Sequence, residues 1–203
     1  MALAQKTYDR LAPIYDILDG PYERMWKGRL RAQIFAGLSG EILDAGVGTG
    51  CNIPAYPFNA QVSAVDASAA MLEQAKARAE RLGRYVSFQR MDLANLGFPD
   101  QSFDAVVATF VFMCIPDHAQ LAALRELGRV CRRDGEIRLV DYRMSQKPLV
   151  RVGMRVMAPW LKFTFAGTYD ARTEAYFDAA GLKCVSESNL FGDVVKMHVL
   201  RPL

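Results

Sequence analysis

Short apolar runs and longer stretches with helical spacing alternate along this chain of 203 residues. Residues 41–44 form a short apolar run that reads as a strand, and a glycine-rich loop from Gly46 to Gly50 ends it. A second apolar run, 62–65, closes on Asp66. Ser68 suits the N-cap of a helix over 69–82, where Met71, Leu72, Ala75, Ala79 and Leu82 form one stripe and Gly83 stops it. Residues 86–90 read as a third strand. Residues 103–112 are apolar without alternation, which suits a central strand buried on both faces. A helix over 117–131 carries Leu121, Leu124, Leu127 and Val130 on one face. Asp134-Gly135 then turns the chain into a strand over 136–142. The spacing predicts a last helix over 173–180, stopped by Gly181. Residues 183–189 and 194–201 alternate as an antiparallel closing pair. Residues 1–37 read as helical pieces broken by Pro13 and by Gly20-Pro21.

Strands alternating with helices predict a single α/β domain with a mostly parallel sheet and right-handed crossovers. The length fits one domain with a sizeable core. Ligands of such sheets bind beyond the carboxyl ends of the strands. Gly46–Gly50, Asp66, Asp92 and Thr109 all fall at strand ends in this reading, so they are expected to share one site.

The glycine loop and Asp66 suggest what that site holds. Glycine at alternate positions, Gly46, Gly48 and Gly50, lets the backbone turn tightly and approach a ligand closely. A carboxylate at the end of the next strand suits ribose hydroxyls. The spacing Gly46-x-Gly48-x-Gly50 is not the Gly-x-Gly-x-x-Gly of dinucleotide binders. No lysine follows it, as a P-loop requires. A nucleoside-bearing cofactor without a pyrophosphate grip is expected.

Composition adds exclusions. A net charge of +3 does not by itself argue for nucleic acid. The four cysteines lie far apart with no Cys-x-x-Cys pair, and only two histidines are present, so neither a disulfide framework nor a metal site is expected. Lys6, Asp9, Arg10 and Asp16 interrupt residues 1–18, so no signal peptide is read there. No run of about 18 apolar residues suggests a membrane span. A cytoplasmic protein is expected, with association at a membrane surface left open.

The chain resembles the class I S-adenosylmethionine-dependent methyltransferases over nearly its whole length. The likeness rests on Leu43-Asp44-Ala45-Gly46-Val47-Gly48-Thr49-Gly50, on Val65-Asp66-Ala67-Ser68 with Met71-Leu72, and on Met91-Asp92-Leu93. It continues through Phe98-Pro99-Asp100-Gln101-Ser102-Phe103-Asp104 and the segment from Leu127 to Glu136. The one departure, Arg132-Arg133-Asp134-Gly135 where the family often has Lys-Pro-Gly-Gly, falls in a turn. The resemblance implies a Rossmann-like, seven-stranded, mostly parallel sheet with an antiparallel last strand, helices on both faces and an N-terminal helical lid. Residues 1–37 would be the lid and 41–142 the cofactor-binding core. Residues 143–172 would be a basic insertion and 173–203 the closing elements. It also implies S-adenosyl-L-methionine as cofactor and S-adenosyl-L-homocysteine as product. Asp44, Ala45, Gly46, Gly48 and Gly50 would hold the methionine end, and Asp66, with Ala67 and Met71, the ribose side. Asp92 would bond the adenine amino group, Leu93 would lie beside the ring, and Thr109 would complete the pocket.

Two regions bear on the acceptor. Tyr8 and Tyr15 stand seven apart, so one helical face can present both to a sulfonium or methylated ammonium. Tyr22 and Trp26 follow, the latter either packing the lid or touching the acceptor. The second region, 142–166, has no acidic residue and carries Arg143, Lys147, Arg151, Arg155 and Lys162. Leu149, Val150, Val156, Met157 and Trp160 lie on another face, Pro148 suits a helix start, and Pro159 a kink or end. Such a helix suits an anionic membrane surface.

Within the family the chain is similar to bacterial phospholipid N-methyltransferases, which convert phosphatidylethanolamine to phosphatidylcholine, and to ubiquinone/menaquinone C-methyltransferases. It lacks the Arg-Asn pair that the quinone group carries near Phe112–Asp117. It also has Asp141-Tyr142-Arg143 in place of Glu-Phe-Ser, so the phospholipid group is favoured. Tyr15, Tyr22, His118 and Asp141 are candidates to take a proton from the acceptor amine. Trp26, Tyr142, Arg143, Arg151 and Tyr169 are candidates to hold the acceptor, arginine being suited to a lipid phosphate. A nucleic-acid substrate is not expected, because Thr109-Phe110-Val111-Phe112 stands where such enzymes carry Asn/Asp-Pro-Pro-aromatic. No metal is expected, and a monomer is.

Overall fold

The structure is a computed structural model that describes residues 27–165, 167–169 and 171–203, together with 12, 15, 20 and 25; the side chains of 163–165 are not described. Tyr8, Tyr22 and Trp26 lie outside the described residues, as does most of the expected lid.

The described strands are β1 (Gly40–Ala45), β2 (Ala60–Asp66), β3 (Ser87–Arg90), β4 (Phe103–Thr109), β5 (Cys131–Tyr142), β6 (Leu182–Phe191) and β7 (Val195–Pro202). They form one sheet in the order β3-β2-β1-β4-β5-β7-β6. β3, β2, β1, β4 and β5 pair in parallel, and β7 runs antiparallel to both β5 and β6. This is the seven-stranded, mostly parallel sheet with an antiparallel last strand that the sequence leads one to expect. The order reverses at β1, where the chain leaves for β2 on one side and later returns as β4 on the other. That reversal opens the crevice in which ligands of such sheets sit.

Each central strand is buried on both faces, and alternate residues feed two separate cores. Leu43, Val106 and Ala108 face α3 (Asp117–Val130) with its Leu124 and Leu127. Ile42, Ala105 and Val107 face α1 (Gly28–Phe35) and α2 (Ala69–Arg81) through Ile34, Phe35, Leu72 and Ala75. That is why these strands read as unbroken apolar runs. Ser68 caps α2, its hydroxyl accepting from the Met71 N–H at 3.2 Å. Gln74 on α2 donates to the Ala12 carbonyl, and Ala12 is itself buried.

Three elements differ from the sequence reading. β4 ends at Thr109 instead of running to 112, because Phe110 takes φ 57° and breaks the strand. β5 begins at Cys131, across an irregular register opposite Phe103 and Ala105. The predicted helix 173–180 is two 3₁₀ turns, Thr173–Tyr176 and Asp178–Ala180. Winding of three residues per turn places Glu174 and Phe177 on one face, where both reach His198 of β7.

α4 (Pro148–Phe165) starts at the expected proline and continues through Pro159. Its start is tied to the β6–β7 hairpin: the Ser145 hydroxyl donates to the Asp193 carboxylate at 2.9 Å, and the Gln146 N–H does so at 2.8 Å. Those bonds hold the Asp193 carboxyl below its ordinary value. Met154 and Leu161 are buried, whereas Leu149 is 89%, Val156 73% and Trp160 49% exposed. Among the described residues no helix is long and apolar enough to cross a membrane.

Candidate active site

A cavity of about 160 Å³ opens across the ends of β2, β1 and β4. The glycine loop forms its floor. Gly46, Gly48 and Gly50 all take positive φ, 82°, 55° and 83°, and the Gly46 and Val47 N–H groups both donate to the Val65 carbonyl, at 2.8 and 3.0 Å. Gly48 lines the cavity, and a Cβ there would meet nothing within 4 Å, so the backbone lies bare to the space. Asp66 fixes the loop to the start of α2. Its Oδ2 accepts from the Gly48 N–H and its Oδ1 from the Ser68 N–H, both at 2.9 Å. Each carboxylate oxygen has a second lone pair, so a diol can be bound without breaking either bond.

Beneath the loop lies a buried polar network. Asn52 Nδ2 donates to both oxygens of Asp44, at 3.0 and 2.9 Å, and the Tyr56 hydroxyl donates to Asp44 Oδ2. Arg31 donates to Asn52 Oδ1 and, at 3.5 Å, to the Thr109 hydroxyl. Burial pushes the Asp44 carboxyl up to about 6, opposed by the bonds from Tyr56 and Asn52. The Tyr56 hydroxyl is pushed well above its ordinary value, first by burial and then by the Asp44 charge.

Of the residues expected to hold the cofactor, Tyr15, Gly46, Gly48, Asp66, Ala67, Met71, Leu93 and Thr109 line this cavity. Asp44, Ala45, Gly50 and Asp92 do not. Asp44 and Ala45 are enclosed beneath the loop, so Asp44 acts on the loop from below and has no surface to offer a ligand. A Cβ on Gly50 would meet Ile53 and Ala75, so this glycine serves the packing of the loop on α2. Asp92 Oδ1 accepts from the Ala94 N–H at 2.8 Å, between the lining residues Met91 and Leu93.

The acceptor candidates are spread more widely. His118 is exposed on the first turn of α3. Asp141, Tyr142 and Arg143 line a separate space of about 20 Å³ with Glu174 and His198. Tyr142 bridges the two spaces. Its ring lies 5.1 Å from that of Phe110, on the main cavity, and 5.6 Å from that of Tyr169. Arg143 pairs with Glu174. Arg151 donates to the Ser145 carbonyl at 2.8 Å and to Gln146, which fastens the start of α4. Glu174, Glu187 and His198 have the donor types and closeness of a metal site, but Arg143 and Lys196 already sit on the two carboxylates.

Several lining residues escaped the sequence reading: Lys27, Arg31, Cys51, Phe110 and Cys114. For the first two a signal exists. Lys27, Leu30, Arg31 and Ile34 are buried at i, i+3, i+4 and i+7 of one helical face, so two bases occupy positions of an apolar stripe. Asn52 and Tyr56 have no such signal.

Comparison with known proteins settles the family. The family described as "Methyltransferase domain" matches residues 42–135. The chain is 35% identical over 150 residues to a phosphatidylethanolamine N-methyltransferase of Cereibacter sphaeroides, covering 72% of each chain. The chain belongs to the class I S-adenosylmethionine-dependent methyltransferases. It is also 30% identical to a demethylmenaquinone methyltransferase of Clavibacter sepedonicus, over 94% of this chain and 86% of that one. A solved geranyl diphosphate methyltransferase in complex with SAM superposes with a TM-score of 0.69 at 15% identity, covering 87% of this chain and 84% of that one. The methyltransferase therefore uses S-adenosylmethionine as cofactor, and the bare glycine backbone facing Asp66 suits it.

Asp141 gives this methyltransferase a pH-dependent stability. Burial pushes its carboxyl up to about 7, opposed by bonds from backbone N–H groups, of which Met113 donates at 3.2 Å. Its Oδ1 is out of contact with solvent and has no hydrogen-bond partner among the described residues. From about pH 4 to 7 the folded chain keeps a proton that the unfolded chain has released. Its stabilising contribution is complete below pH 3.8 and is lost as pH rises through about 7. Asp141→Asn keeps the neutral form at every pH. Melting curves at pH 5 and pH 8 are expected to show the variant gaining on the wild type at pH 8, with the gain shrinking at pH 5; a pH-independent difference counts against this account.

Proposed function

We propose that the methyltransferase acts on a membrane lipid, transferring methyl groups to the ethanolamine amine of phosphatidylethanolamine. The observation that carries this reading is the exposed face of α4. Leu149, Val152, Val156 and Trp160 stand out from the molecule on a helix that also bears Arg151, Arg155 and Lys162 and no acid. A helix packed for the core alone would bury that face. Left outward beside arginines and a lysine, it fits the interfacial zone of an anionic membrane, where apolar and aromatic groups sink and bases meet lipid phosphates. The likeness to the Cereibacter sphaeroides enzyme favours an ethanolamine head group.

The bound cofactor supplies a methyl group on a sulfonium sulfur that is already activated. The chain then has to align the acceptor, exclude water and receive a proton. Asp66 would hold the ribose hydroxyls, the Gly46–Gly48 backbone would take the methionine side, and Met71, Met91 and Leu93 would give the base an apolar wall. The acceptor amine, with an ordinary pKa of about 10, must lose a proton before it attacks. Among the described candidates Tyr15 alone is on the wall of the main cavity, so its hydroxyl accepts the amine's hydrogen bond and relays the proton, giving up its own to solvent water. His118 faces solvent, and Asp141 belongs to the smaller space.

A second reading, C-methylation of a quinone precursor, draws on the Clavibacter sepedonicus relative, whose match spans 94% of this chain. A quinone precursor is also a membrane lipid, so α4 serves either reading, and the acceptor assay separates them.

Asp66→Ala is expected to abolish binding of S-adenosylhomocysteine in calorimetry; unchanged affinity removes the ribose role. Radiolabelled methyl transfer is expected to phosphatidylethanolamine and not to demethylmenaquinone, and the opposite preference would establish the second reading. In vesicle flotation, binding is expected to rise with anionic lipid and fall with salt. Indifference to both removes the membrane role of α4.

A further inference from the structure

One short segment after β4 walls the main cavity on that side. Val111, Cys114, Ile115 and Pro116 line the cavity, and the 3₁₀ turn Phe112–Cys114 lies within that run. Val111 packs on the glycine loop, where a Cβ on Gly46 would overlap its side chain. The position of this turn therefore sets how closely the wall meets whatever occupies the loop.

Three elements hold the turn. From α3 the buried Gln120 side chain donates through Nε2 to the Phe112 carbonyl at 3.3 Å and to the Ile115 carbonyl at 3.2 Å. From beyond α4 the Thr168 N–H donates to the Met113 carbonyl at 3.0 Å, and a Cβ on the adjoining Gly167 would overlap the Met113 side chain. From the end of β5, Asp141 Oδ2 accepts from the Met113 N–H at 3.2 Å. The first two holds are neutral and indifferent to pH. Of the three only Asp141 can change its charge.

That charge has no ionic partner among the described residues. The charged groups around the smaller space are engaged with one another: Arg143 with Glu174, and Lys196 with Glu187 of β6. His198 of β7 stands between the two carboxylates, with Nε2 2.8 Å from Glu174 and 3.3 Å from Glu187. Burial pushes the Asp141 carboxyl up to about 7, and only backbone amides, those of Met113, Phe112 and Tyr142, favour its charge. The smaller space beside it, about 20 Å³, has room for one water molecule to hydrate the charged form. A charged acceptor holds an amide more tightly than a neutral one.

We infer that Asp141 is a positioning residue for methyl transfer: its ionised carboxylate fixes the Phe112–Cys114 turn, and through it the cavity wall from Val111 to Pro116. It touches neither cofactor nor acceptor and acts through the Met113 amide. The inference rests on the methyltransferase assignment and is independent of which lipid accepts the methyl group. The form that fixes the wall is the one that the fold stabilises less, so positioning is gained as stability is lost.

Amide hydrogen exchange over residues 112–115 of the full chain, followed from pH 6 to pH 8 and corrected for the intrinsic rate, tests this. Protection in the wild type is expected to rise roughly tenfold across that interval, the margin between a charged and a neutral acceptor. Asp141→Asn is expected to stay at the lower protection throughout. Turnover is measured with radiolabelled S-adenosylmethionine on phosphatidylethanolamine vesicles, or on demethylmenaquinone where that is the acceptor. The ratio of wild type to Asp141→Asn is expected to climb from near one to roughly tenfold over the same interval, with S-adenosylhomocysteine affinity within about twofold. Loss of the acceptor's own proton affects both proteins alike and cancels in the ratio. At pH 8 the variant is then both slower and higher melting, which a purely structural role for Asp141 does not produce. A flat wild-type protection profile overturns the inference, even if Asp141→Asn does not fold. So does a turnover ratio that ignores pH. Transfer to neither lipid counts against the acceptor reading alone, and the exchange profile then decides.

Discussion

A single carboxylate with no access to water, Asp44, holds the centre of this molecule together. It sits on β1 just before the glycine loop, bonded to Asn52 and Tyr56 from the segment that follows that loop. Through Asn52 it reaches Arg31 of α1 and Thr109 at the end of β4. Four separate pieces of chain thus meet on one buried acid. Burial alone works against its charge, and the surrounding donors offset that cost only while all of them are in place. The glycine loop, which runs between Asp44 and Asn52, is held at both ends by this network. Removing any one donor would leave the others facing a buried charge, which is the costly way to break such a cluster.

That constraint explains how the site is divided. The Gly46, Val47 and Gly48 N–H groups are spent on Val65 and Asp66 and that of Gly50 on the Val47 carbonyl, so the loop offers a ligand mainly shape and close approach. Charge comes from outside it: Asp66 on one flank, Lys27 and Arg31 on the other. Tyr142, on the wall of the smaller cavity, packs its ring against Phe110 of the main one and against Tyr169. Polar groups that do not line the main cavity, Asp141, Arg143, Glu174 and His198, are collected around the smaller one. Burial there keeps the His198 imidazole below its ordinary pKa, even with two carboxylates close by.

Much of this was legible in the chain before it was folded. The parallel strands, the Ser68 cap and the pairing of the glycine loop with Asp66 depend on residues close in sequence, and local pattern conveys such features well. The contacts of Asp44 were not legible. Arg31 and Thr109 are 78 positions apart, and only the tertiary fold brings them together. The end of β4 shows the same limit. Phe110 belongs to an apolar run that reads as strand, and only its place beside β5 fixes a backbone angle the residue would not choose. The 3₁₀ turns at 173–180 replaced a predicted helix for a like reason, because two side chains three apart share one anchor, His198. Lys27 and Arg31 lie between these cases: bases on an apolar stripe can be seen in the sequence, but what they face cannot.

α4 is fastened at its start through Ser145 to the β6–β7 hairpin, and just beyond its end the Thr168 N–H bonds the Met113 carbonyl at 3.0 Å. Met113 stands between the cavity-lining residues Val111 and Cys114. The helix is thus a beam with one support on the far edge of the sheet and the other on the rim of the catalytic chamber. Among its described side chains only Met154 and Leu161 are buried. A load placed on such a beam is carried to its supports, so whatever surface α4 rests against is mechanically in touch with the chamber wall.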